Sequence, residues 1–270
     1  MKKNLVLVFC IHLLTSYCMG QQDTTALRPV RTIKGDYTDF TTDNLGNLYV
    51  LTRSNQLKKM NPNGDSLSVY NDVRRYGKVY SLDATNPLKL LLYYKDFGTI
   101  VVLDRFLNVR TTINLRQSNI FQVKAICQSY DNGIWLYDEQ EARLKKLNDE
   151  GSTIDQFSDF RQVMDTAPSP VRLADQDRLL YLYDPGTGLF VFDYFGTLKN
   201  RVALTGWQDF QVVGNKVFGR RNAVLQQYQP GTLSLQEYPL GNTLSNMDKM
   251  MVSTSNLYCL KDGVIYVYSF

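Results

Sequence analysis

Short apolar runs, each bounded by clusters of Asp, Asn and Gly, recur along the chain at an even spacing. The clearest are Leu48-Tyr49-Val50-Leu51, Leu91-Leu92-Tyr93-Tyr94, Ile134-Trp135-Leu136-Tyr137, Leu180-Tyr181-Leu182-Tyr183, Val217-Phe218-Gly219-Arg220 and Leu257-Tyr258-Cys259-Leu260. Their first residues lie 43, 43, 46, 37 and 40 positions apart. Runs this short, rich in Tyr and Leu and closed off by turn formers, predict strands. Each sits in a unit that reads as four antiparallel strands, a to d. In the first unit these span Tyr37–Thr42, Asn47–Thr52, Gln56–Asn61 and Ser66–Asn71; in the third, Val123–Tyr130, Ile134–Glu139, Arg143–Asn148 and Ser152–Phe157. Between strands a and b lie Asp43-Asn44-Leu45-Gly46 and Asp131-Asn132-Gly133. Between c and d lie Asn61-Pro62-Asn63-Gly64, Asn148-Asp149-Glu150-Gly151, Asp193-Tyr194-Phe195-Gly196 and Pro230-Gly231. Tight hairpins need backbone positions with φ > 0, which Asn, Asp and Gly supply at least cost. No stretch beyond the N-terminal segment shows strong helical periodicity.

A repeat of about 42 residues holding several short strands is the mark of a propeller blade, and the 250 residues beyond position 20 accommodate six. The expected fold is therefore all-β, a single six-bladed β-propeller over 21–270. The last unit offers strands at Asp248–Ser253, Asn256–Lys261 and Val264–Phe270 but no fourth, whereas Pro29–Lys34 is strand-like and has no unit of its own. Placing Pro29–Lys34 as strand d of blade six closes the ring and covers a free sheet edge. The aromatic ladder Tyr49, Trp135, Tyr181, Phe218 and Tyr258 recurs in strand b, a regularity that predicts packing between blades rather than a binding site. Cys127 and Cys259 fall in opposite blades, beyond disulfide reach, and are expected as free buried thiols.

Composition narrows the chemistry. The only histidine, His12, lies in a segment with the three parts of a signal peptide: Lys2 and Lys3, the apolar Leu5–Leu14, and Thr15–Gly20. Cleavage after Gly20 is expected, leaving Gln21 first, a start that resembles exported proteins of the Bacteroidota. Lipidation at Cys18 is the alternative, although Tyr17 sits where a lipobox wants a small residue. The apolar stretch is too short for a spanning helix, and no later stretch reaches 18 apolar residues, so no transmembrane segment is expected. Removal of residues 1–20 would leave no histidine, excluding imidazole catalysis and His-based metal sites. The net charge is +4 over the whole chain and would fall to about +2, too balanced to suggest nucleic acid.

Asp43-Asn44-Leu45-Gly46-Asn47-Leu48-Tyr49-Val50, followed by Leu57 to Gly64, resembles the NHL-like repeat of six-bladed propellers. Asp131-Asn132-Gly133-Ile134-Trp135-Leu136 with Asn148-Asp149-Glu150-Gly151 matches it more loosely. The resemblance implies the fold and leaves function open, since such propellers include binding scaffolds, lactonases and lyases. Ser129 to Trp135 looks like a sialidase Asp-box shortened by one residue, and Asp184-Pro185-Gly186-Thr187-Gly188 is similar to a quinoprotein blade turn. Each occurs once, and both read as plain hairpins.

No nucleophile elbow, phosphate loop, EF-hand or paired-cysteine motif is present. The axis-lining candidates on strands a are mixed: Asp39, Ser81, Gln128, Arg172, Gln211 and Met251. A lone Asp with a lone Arg is no metal cage. The pairs Glu139/Glu141 and Asp175/Asp177 fall at hairpin turns and are expected to be solvated. No catalytic residue, metal or cofactor is therefore expected. The d–a and b–c connections share one face, where arginines and aromatics outside core strands would form an interface. Arg53, Arg74, Arg75, Tyr76, Phe121, Trp207, Arg220 and Arg221 are the candidate patch. The expected function is a non-catalytic scaffold binding a protein partner of the cell envelope, in the periplasm or at the outer membrane, within an assembly or secretion complex. The alternatives are a metal-dependent lactonase or lyase, and a carbohydrate-binding module with exposed aromatics beside Asp or Asn.

Overall fold

The computed structural model describes residues 28–269. The leader expected over 1–20, with His12 and Cys18, lies outside the described residues. Six four-stranded antiparallel sheets follow one another along the chain. Strand β1 (Arg28–Ile33) comes first and pairs with the last. Blade 1 is β2 (Tyr37–Thr42), β3 (Leu48–Thr52), β4 (Leu57–Met60) and β5 (Ser66–Tyr70). Blade 2 is β6 (Ser81–Asn86), β7 (Lys89–Tyr94), β8 (Thr99–Asp104) and β9 (Val109–Asn114). Blade 3 is β10 (Val123–Gln128), β11 (Ile134–Asp138), β12 (Arg143–Leu147) and β13 (Thr153–Gln156), and ends in a one-turn helix, α1 (Phe160–Val163). Blade 4 is β14 (Arg172–Gln176), β15 (Leu179–Asp184), β16 (Gly188–Asp193) and β17 (Leu198–Val202). Blade 5 is β18 (Gln208–Val213), β19 (Lys216–Arg221), β20 (Val224–Gln229) and β21 (Ser234–Pro239), with α2 (Gly241–Leu244) behind it. Blade 6 is β22 (Lys249–Val252), β23 (Asn256–Lys261) and β24 (Val264–Ser269), completed by β1. The architecture is the expected six-bladed propeller with its N-terminal strand closing the ring. No helix among the described residues is long and apolar enough to cross a membrane.

Turn chemistry sets the blade outlines. In blades 1 to 4 the c–d turn opens on Asn61, Asp104, Asn148 or Asp193, whose side-chain oxygen accepts two backbone N–H groups of the turn. Three residues on, the chain needs a positive φ, supplied by Gly64 (94°), Gly151 (83°) and Gly196 (80°). Blade 2 places Leu107 there at 66°, and its side chain is buried. That packing offsets the strain and hides the repeat from sequence comparison.

Strict alternation along strand b divides the core into six inter-blade clusters. Tyr49 and Leu51 point to blade 2, Leu48 and Val50 to blade 6. Trp135, Tyr181, Phe218 and Tyr258 likewise face the next blade, as does Tyr93 of blade 2. The aromatic ladder is thus the cement between blades, each large side chain contributing about 1.5–3 kcal/mol by burial. Cys127 and Cys259 lie in different clusters, buried and unpaired.

Polar contacts link neighbouring blades along the inner strands. The backbone N–H of Gln128 donates to Asp83 at 2.8 Å, that of Val252 to the Gln211 side chain at 3.0 Å, and Lys249 pairs with Asp39 at 2.7 Å, joining blade 6 to blade 1. Asp175, expected to be solvated, is instead half-buried and accepts the hydroxyls of Ser129 and Tyr194. Ser129 reaches it from the neighbouring blade's turn and Tyr194 from the c–d turn of its own blade. Glu139 is also engaged, with Lys124 at 2.6 Å and the Ser169 hydroxyl at 3.0 Å.

Candidate functional site

Backbone hydrogen bonds tie five of the six d–a connections to a b–c turn, and in blade 1 the Gln56 side-chain amide donates to Asn71 at 2.8 Å. Leu115 donates to Gly98, Phe160 to Ala142, Gly206 to Pro185, Leu240 to Ala223, and Tyr37 to Gly263. These connections therefore form one continuous face, and the candidate patch lies on it. Arg53 is exposed and paired with Asp36 at 3.0 Å. Arg74 and Arg75 project from a single 3-10 turn, Val73–Tyr76, and both are exposed. Tyr76 is half-buried, its ring edge-on to Tyr94 at 5.5 Å with the Arg75 guanidinium over it. Phe121 is 55% exposed, and Arg221 is exposed.

Trp207 and Arg220 do not belong to that open surface. Trp207 is 4% exposed and Arg220 4%. Arg220 lies within β19, not in a loop, and a local irregularity explains both placements. Gln208 pairs with Arg220 and Gln211 with Phe218, so Asp209 and Phe210 together stand opposite Gly219. This β-bulge turns Asp209 to φ 56° and aims its carboxylate at Arg220 Nε, 2.8 Å away. Gly219 leaves room for the indole of Trp207; a Cβ there would lie 2.1 Å from the ring. The indole N–H donates to Gln226, which in turn donates to Glu237. Tyr183 stacks on Trp207 at 5.9 Å and on Phe210 at 5.1 Å, and its hydroxyl accepts the Trp207 amide.

Tyr183, Trp207, Asp209, Phe210 and Arg220 line a cavity of about 480 Å³ between blades 4 and 5, with Val171, Arg172, Gln208, Met247 and Asp248 completing it. Its wall is the Trp207–Tyr183–Phe210 stack, and four charged side chains of both signs stand around it. Burial raises the Asp209 carboxyl above the ordinary carboxylate range, against the opposing pull of Arg220. Arg220 holds Asp209 through Nε, and no other protein acceptor for its guanidinium is found among the described residues. The sequence pattern did not bring Asp209, Tyr183, Phe210 or Asp248 to this site. Gly219 inside a strand was the available signal, because a strand-interior glycine marks a bulge or a close approach. Arg172, expected at the axis, is exposed and lines the cavity. Among the described residues no group of three or more His, Cys, Asp or Glu could hold a metal ion.

No protein-family model and no curated protein sequence matches the chain. Solved structures match as folds. A streptogramin B lyase is similar over 90% of this chain and 86% of its own, with 13% identity and a TM-score of 0.58. The WD40 domain of Neurospora crassa Pan2 is similar over 87% of this chain and 89% of its own, with 9% identity and a TM-score of 0.64. A chain of the mitotic checkpoint complex covers 100% of this one with 99% of its own, at 11% identity and a TM-score of 0.58. The likeness is one of fold.

Proposed function

We propose that the protein is a non-catalytic scaffold that binds a protein partner of the cell envelope on the face of its d–a and b–c connections. In this reading it works in the periplasm or at the outer membrane, exported by a cleaved leader, as part of an assembly or secretion complex. The carrying observation is the aromatic-walled cavity between blades 4 and 5, which opens on the face that also presents Arg74, Arg75 and Phe121. A rigid aromatic wall beside buried and half-buried charges is the composition of an interface hot spot. The mixture of signs around the cavity suits a polypeptide segment with donors and acceptors better than a free anion. The same fold serves a lyase and domains of protein assemblies, so the reading rests on these residues and not on the architecture.

Photo-crosslinking side chains placed at Phe121 and Arg172 test it in the native envelope, with Leu45 on the opposite face as control. Both loop-face positions should capture one common protein, and charge reversal at Arg74 and Arg75 should abolish that capture. Recovery of the uncrosslinked protein from both positions, or capture from Leu45 alone, would sink the proposal.

A further inference from the structure

The face opposite the loop connections carries a second feature. There the a–b turn of blade 3 meets the c–d turn of blade 4. Tyr130 and Tyr194 stack with ring centroids 5.1 Å apart and planes within 7° of parallel. Tyr130 is nevertheless 70% exposed, so the pair presents a flat aromatic surface to water. Exposed tyrosines on turns ordinarily move freely, but this one is braced. Tyr194 donates its hydroxyl to Asp175, and the same carboxylate accepts the hydroxyl of Ser129, the residue before Tyr130. One half-buried acid therefore ties both turns together. The Lys146 ammonium lies 5.5 Å from the Tyr130 ring and 6.0 Å from that of Tyr194, while paired to Asp131. The edge of the platform is polar: Asp131 and Asn132 are exposed, and Asn132 accepts from the Asn86 amide at 3.3 Å.

A pyranose ring has this shape in negative: a face of C–H bonds and a rim of hydroxyls. The first suits the face of an aromatic ring, the second amides and carboxylates. A fixed ring is the better platform, because little side-chain freedom is lost on binding. The charge pattern selects further. Lys146 is held by Asp131, and Lys89 beneath the same turn is held by Asp149 and the Asn132 carbonyl. Neither ammonium is left to recruit phosphate, which disfavours a nucleotide. We propose that the Tyr130–Tyr194 platform, with Asp131, Asn132 and Asn86 at its edge, is a binding site for a neutral saccharide, one sugar ring lying on Tyr130. The site is separate from the protein-binding face and does not depend on it.

Ligand-observed NMR on the purified protein with cellohexaose, chitohexaose, mannohexaose and maltohexaose tests this. At least one should bind with a dissociation constant of about 1 mM or tighter. Tyr130→Ala should weaken it about tenfold, and Tyr130→Phe should bind nearly as the parent does. Both variants should melt with the parent protein, since the ring is mostly exposed. Silence from all four sugars, or binding indifferent to Tyr130→Ala, would overturn the proposal. So would Tyr130-dependent binding of a proline-rich peptide in the absence of saccharide binding.

Discussion

Arg220 and Asp209 are each tolerated inside the protein because of the other. Their side chains are 5% and 9% exposed and meet at 2.8 Å. Truncating one partner strands the opposite charge, which typically costs more than the pair contributes. Arg220→Met should therefore lower stability by about 3–5 kcal/mol in urea unfolding at neutral pH. Adding Asp209→Leu to that variant should restore most of the loss; a double variant no better than the single would refute the coupling. The two cysteines make a complementary case. Burial pushes the Cys259 thiol up to about 12 and raises that of Cys127 well above its ordinary value. The folded state then retains protons that the unfolded state releases, so their contribution to stability is full below pH 9 and is lost as pH rises towards 12. Native protein should not react with a thiol reagent at pH 8, and both thiols of the described region should label once it is denatured. Rapid native labelling would show that one of them is reachable from solvent.

Elements differ in how openly the sequence announces them. The c–d turns of blades 1, 3 and 4 are legible because an Asx residue and a glycine fall at fixed positions. Blade 2 makes the same turn with Asp104 and Leu107, so its geometry persists where the pattern fails. The helices α1 and α2 are single turns, too short to carry any periodicity. Strand β1 was readable as an unpartnered strand whose only economical place was blade 6. It pairs there along Arg28–Ile33, and Ile33 packs with Tyr37, Phe40 and Leu260 across the blade 6–blade 1 joint. Ile33→Ala should cost about 2–4 kcal/mol and lower the midpoint of thermal unfolding, read by circular dichroism. A neutral effect would mean that the ring holds without this closure.

At the scale of the molecule, closure gives every blade two neighbours and leaves each cluster of the core shared by a pair of blades. This leaves two separate faces on one closed ring. One gathers the d–a and b–c connections, the other the a–b and c–d turns. Along the inner strands Lys249 of blade 6 pairs with Asp39 of blade 1, and among the described residues no carboxylate cluster could hold a metal ion. Melting temperature should accordingly be indifferent to chelator and to millimolar calcium. A rise in Tm with calcium would mean that an ion binds the folded state and would favour the lactonase-type alternative.

Local chemistry along the chain decided the number of blades, their turns and the inward set of strand-b residues. Alternation of period two and the φ > 0 demands of hairpins act over a few residues, so they can be read without knowing the fold. The cavity between blades 4 and 5 needed the tertiary structure. Trp207 looked like an exposed loop aromatic, yet Gly219, a bulge at Asp209 and Phe210, and the ring of Tyr183 draw it inside. Asp175 looked like a solvated turn acid, yet Ser129 and Tyr194 reach it from separate turns. Whether such a residue is buried depends on which distant segments pack against it, and no pattern confined to its own neighbourhood carries that information.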